Sequence, residues 1–155
     1  MTDDTPTPAP ALLPMLWASM TFAQVVIVGL CFFLSAQHGV TLTFSMDRLL
    51  PGEGPGGVLF GLAFVMAVVA VAVPKQLAAM MPRDDSRSDI ARAYTPFILH
   101  LALAESATLL GFVGAQYMTT PPVPERIVLP AAAGLVAALA GYPTANRIKE
   151  LAQRR

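Results

Sequence analysis

Four long apolar stretches, separated by short charged segments, leave this chain few folds to choose from. They cover residues 12–36, 58–73, 97–117 and 127–142, with residues 76–81 extending the second beyond Pro74. A helix needs roughly 20 apolar residues to cross a hydrocarbon core, and each stretch comes near that length. Of the 155 residues, 55% are hydrophobic and 13% are charged. Because the charges cluster between the apolar runs instead of alternating with them, the pattern is that of a membrane protein. The expectation is an all-α integral membrane four-helix bundle, one domain over 1–155. Its helices fall at about 12–36, 57–80, 96–118 and 127–146, with a short tail at 147–155.

Basic residues set the expected orientation. Lys75, Arg83, Arg87 and Arg92 lie between the second and third stretches, and Arg147, Lys149, Arg154 and Arg155 follow the fourth; only Arg48 and Arg126 fall in the other two loops. The positive-inside rule then puts both termini on the cytoplasmic side of a bacterial-type inner membrane. Asp3 and Asp4, with no Lys or Arg, precede the first stretch, whose apolar run is longer than a signal peptide's, so it reads as a retained helix. Ser88 or Asp89 is placed to cap a helical lead into the third stretch. The formal net charge of zero argues against nucleic acid as a partner. Cys31, the only cysteine, reads as a small buried hydrophobe.

Within the third stretch stands Glu105. An ionised side chain at the bilayer centre costs roughly 2.5–3.5 kcal/mol or more, and no Lys or Arg lies at its depth. The expectation is therefore a neutral, protonated acid or one holding a small cation, with a proton or sodium ion the only ligand implied and no other cofactor. Gln24 of the first stretch is the first candidate partner, since an amide can donate to a carboxylate or accept from a protonated acid. Ser106 and Thr108 add hydroxyls from the same helix. At about 100° per residue, Leu101, Leu109 and Phe112 fall within about 40° of Glu105. Ala107, Gly111 and Ala115 lie on the opposite half and form a small-residue seam that lets helices approach closely. Gly134 and Ala138 supply small packing positions in the fourth stretch.

The run Ala102-Leu103-Ala104-Glu105-Ser106-Ala107-Thr108-Leu109-Leu110-Gly111-Phe112-Val113 resembles the carboxylate-bearing helix of the proteolipid, or c, subunits of rotary ATPases. The resemblance covers one helix in four. It implies that Glu105 binds a proton or sodium ion, with Ser106 similar to the hydroxyl that follows the Glu in sodium-binding members. A faint repeat also runs through the chain. Pro14, Gln24 and Gly29 are spaced much as Pro96, Glu105 and Gly111, which suggests two parallel hairpins related by an axis along the membrane normal.

Two functional classes follow. In the first, the protein is a structural or accessory subunit of a membrane complex, its intramembrane carboxylate and buried polar groups fixing helix register or the choice of partner. In the second, it is a proteolipid-like ion-translocating subunit that works through Glu105. Both place it in the lipid bilayer with other membrane subunits or copies of itself. Neither makes it an enzyme, for the sequence holds no metal-ligand spacing, nucleophile elbow or phosphate loop.

Overall fold

The computed structural model describes residues 11–37, 55–81, 87–116 and 124–153. Every regular element among them is helical: α1 (Leu12–Gln37), α2 (Pro55–Met80), α3 (Asp89–Gln116), α4 (Pro124–Ala140) and α5 (Ala145–Gln153). In lipid no water satisfies backbone N–H and C=O groups, and a helix satisfies its own. Three helices are long and apolar enough to cross a membrane, α1 over Leu12–Leu34, α2 over its full length and α3 over Asp89–Gly114. This is a membrane protein.

Two helix boundaries differ from the sequence reading by more than one turn, and local chemistry explains both. The third helix begins at Asp89, a full two turns before Pro96, because Ser88 caps it. The Ser88 hydroxyl accepts from the Ala91 N–H at 3.3 Å, and the Ser88 carbonyl accepts from the Arg92 N–H at 3.1 Å. The fourth does not run on to residue 146. Pro143 lacks an N–H and restricts Tyr142, so α4 closes with Gly141 N–H donating to the Ala138 carbonyl and Tyr142 N–H to that of Leu139. Thr144 then caps α5, its hydroxyl 3.2 Å from the Arg147 N–H. The chain turns by 88° between the two helices. At 17 residues α4 is about 25 Å long, somewhat short of the roughly 30 Å hydrocarbon core.

Helix α3 is the hub. It packs on all four others, and α4 also receives α1 and α2. Helix α3 runs antiparallel to both α2 and α4: its Gly114 meets Gly56 and Phe60 of α2, while Gly111 meets Pro130 and Ala131 of α4. Helices α1 and α2 lean on the α3–α4 pair from different sides and scarcely touch one another. The first hairpin therefore does not repeat the packing of the second, which removes the structural basis for the suggested repeat.

Small side chains fill the centre and large ones face out. Ala67 and Ala70 of α2, Ala104 and Ala107 of α3, and Ala137 and Ala138 of α4 form one buried cluster. Phe22, Val25 and Phe33 of α1 and Val58, Val65 and Val68 of α2 are exposed. Lipid offers these side chains a surrounding as apolar as any core, so helix association rests on close backbone approach and interhelical hydrogen bonds. At the α5 end, Leu13, Ala78, Phe97, Leu101 and Leu151 close the core. At the other end Cys31 is buried with Val28, Val128 and Ala131.

Candidate functional site

Four polar side chains are buried among the described residues: Thr21 and Gln24 on α1, and His100 and Thr108 on α3. Thr108 is the joint between three helices. Its hydroxyl donates to the Gln24 side-chain carbonyl at 3.0 Å and lies 3.3 Å from the backbone carbonyls of Ala104 and of Ala131 on α4. A hydroxyl has one proton, so these three acceptors share it. What lets α4 come so close is Gly134. A Cβ there would fall 2.6 Å from the Ala104 carbonyl oxygen and would strike Thr108. Gly111 does the same one turn on, where a Cβ would lie 2.6 Å from the Pro130 carbonyl carbon. Ala107 and Ala138 are fully buried in the central cluster, and the Ala115 side chain lies outside the described residues.

Gln24 is wholly buried, with its oxygen facing Thr108 and its Nε2 without a partner. The sequence reading paired Gln24 with Glu105; the structure pairs it with Thr108. Glu105 is only partly buried and has no hydrogen-bond or ion-pair partner among the described residues. Its position follows from the helix. Leu101, Thr108 and Phe112 form the stripe of α3 that meets α1, Leu109 is exposed, and Glu105 falls between them at the rim of the α1–α3 contact. Ser106 is turned back into its own helix, donating to the Ala102 carbonyl at 2.8 Å.

The Gln24–Thr108 contact also fixes register. Helices α1 and α3 run parallel, so the α1 residue one turn before Gln24, namely Thr21, sits level with Glu105, one turn before Thr108. The Thr21 hydroxyl is buried and unpartnered. Glu105 at the rim thus stands level with one orphan hydroxyl, that of Thr21, and one turn from the orphan amide N–H₂ of Gln24. Buried polar groups are nearly always paired, so this part of α1 is chemically unfinished.

His100 has a specific structural task. Pro74 has no N–H, so the Ala70 carbonyl four residues earlier loses its helical donor. His100 Nδ1–H donates to that carbonyl at 2.6 Å. Its Nε2 is buried against Gly141, where a Cβ would collide with the ring. Only the pairing of α2 with α3 reveals this, although Pro74 announces that Ala70 needs a donor. On the α1 side, the Trp17 indole N–H donates to the Ala138 carbonyl at 2.9 Å, and its ring meets Tyr142 edge-on at 4.8 Å. No protein-family model, curated protein or solved structure matches this chain.

Proposed function

We propose that this protein is a non-catalytic structural or accessory subunit of a membrane complex in a bacterial-type inner membrane, a four-helix bundle with both termini cytoplasmic. One observation carries the reading: the bonded polar side chains of the interior join helices. Thr108 ties α3 to α1 and α4, His100 ties α3 to α2, and Trp17 ties α1 to α4. Glu105, by contrast, stands at a rim with no partner in its own chain among the described residues, where another membrane subunit or a second copy would meet it. The broad apolar faces of α1 and α2 suit lipid and such partners alike. Glu105→Gln is expected to preserve assembly of the complex and its activity, because an amide keeps the hydrogen bond without titrating. Purification of the variant complex with transport lost and assembly intact would overturn this reading.

A second reading is favoured by the orphan groups that α1 carries within a turn of the level of Glu105. Thr21 Oγ1 and Gln24 Nε2 can serve a carboxyl that changes protonation, consistent with the likeness of residues 102–113 to proteolipid subunits. The available oxygens favour a proton over sodium. Gln24's oxygen is engaged by Thr108 and Ser106's hydroxyl by Ala102, which leaves few ligands for a metal cation. On this reading a hydrophobic carbodiimide modifies Glu105, raised pH protects it, and sodium does not. Absence of labelling at Glu105 would remove it.

A further inference from the structure

A groove of about 660 Å³ runs between α2 and α4. Phe64, Val68 and Val71 form one wall and Leu129, Ala133 and Val136 the other, and all of its lining side chains are apolar. Along α4 it spans Leu129 to Ala140, about 17 Å at 1.5 Å per residue, so its mean cross-section is about 40 Å². That is wide enough for hydrocarbon chains to lie along it.

Its α5 end is cationic. Phe64, Val68, Val71 and Lys75 follow one another at spacings of four, three and four, a single stripe of α2, so Lys75 continues the groove wall where the apolar lining stops. On the other wall the last lining residue is Ala140, whose carbonyl accepts a hydrogen bond from the Arg147 guanidinium. Helix α5, which carries Arg147, packs on α2, so both cations stand at the α5 end of the groove, and Glu150 acts on Arg147. Lys75 has no ion-pair partner among the described residues. The mouth therefore holds two cations against one carboxylate.

We propose that this groove is a binding site for an anionic phospholipid, with an acyl chain between α2 and α4 and the headgroup phosphate at Lys75 and Arg147. The apolar walls have no hydrogen-bonding side chain to offer, so they select a tail. The paired cations select a negative head, and basic pockets between membrane helices are suited to that task. The site is independent of Glu105, which lies on the α1 side of α3.

The test is native mass spectrometry of the full-length protein with phosphatidylglycerol and with phosphatidylcholine carrying the same chains. Phosphatidylglycerol is expected to be retained preferentially. Lys75→Gln, at a partly exposed position, should weaken that lipid by about fivefold, the effect of removing one basic residue near a membrane surface. Val136→Phe, at an exposed groove wall, should lower retention of both lipids. Equal retention of the two lipids by the native chain, or an unchanged preference in Lys75→Gln, would overturn the proposal. So would displacement of phosphatidylglycerol by glycerol 3-phosphate, which would show a headgroup site with no part for the groove.

Discussion

At the scale of single residues, space decides which glycines matter. Gly134 and Gly61 look alike in sequence, each a small residue in an apolar helix. A Cβ at Gly134 meets backbone atoms of α3, whereas at Gly61 it meets nothing within 4 Å. Gly134→Ala should force α3 and α4 apart and lower stability by about 1–3 kcal/mol. Gly61→Ala should be neutral or stabilising by up to about 1 kcal/mol, the helix preference for Ala. Reversible unfolding in mixed micelles measures both. Thr108→Val keeps the shape and removes the hydroxyl, so Gln24 is left with no bond to α3. Interhelical side-chain hydrogen bonds in membranes contribute about 0.6–1.7 kcal/mol, and a loss of that size is expected in the same assay. Sequence alone pointed to Gln24 and Thr108 as polar residues at comparable depth. It did not show that they would bond to each other, because the choice between Thr108 and Glu105 depends on a rotation of α3 about its axis.

At the scale of elements, prolines set the breaks and their neighbours repair them. Pro74 sits inside α2 and would leave the Ala70 carbonyl without a donor, but His100 supplies one from α3. His100→Ala should cost about 1–3 kcal/mol, the penalty of a buried unsatisfied carbonyl. Adding Pro74→Ala restores the backbone N–H, so the double variant should be more stable than His100→Ala alone. The cycle of four proteins should return a coupling above about 0.5 kcal/mol; additive losses would show that His100 does not act through Ala70. Helix existence was legible from the apolar runs. The early start of α3 was legible only in part, through Ser88, since Pro96 marks a plausible first turn as well. The sequence reading ran the fourth helix to residue 146 and missed the bend at Gly141–Thr144, although Pro143 stands there; its angle of 88° depends on Ile148 and Leu151 packing against the core at the ends of α1, α2 and α3.

At the scale of the whole molecule, the proposed orientation rests on eight basic residues on one side of the membrane against two on the other. A reporter at Glu53 should be labelled by an impermeant reagent in intact cells, and one at Arg154 only after permeabilisation. The opposite pattern would invert the bundle. Both positions lie outside the described residues, so the experiment tests the charge rule directly.

What the sequence determined by itself is membrane residence and helical class, because segment length and the absence of charge are properties that each stretch carries alone. It also marked Glu105, the one acidic residue within the four apolar runs. Which helices meet was decided only in the tertiary structure. In lipid nearly every apolar face is equally acceptable to the solvent, so hydrophobicity does not say which one turns inward. That choice falls to a few close approaches and polar joints, at Gly111, Gly134, Thr108 and His100, and these put α3 at the centre, kept α1 and α2 apart, and left Glu105 at a rim.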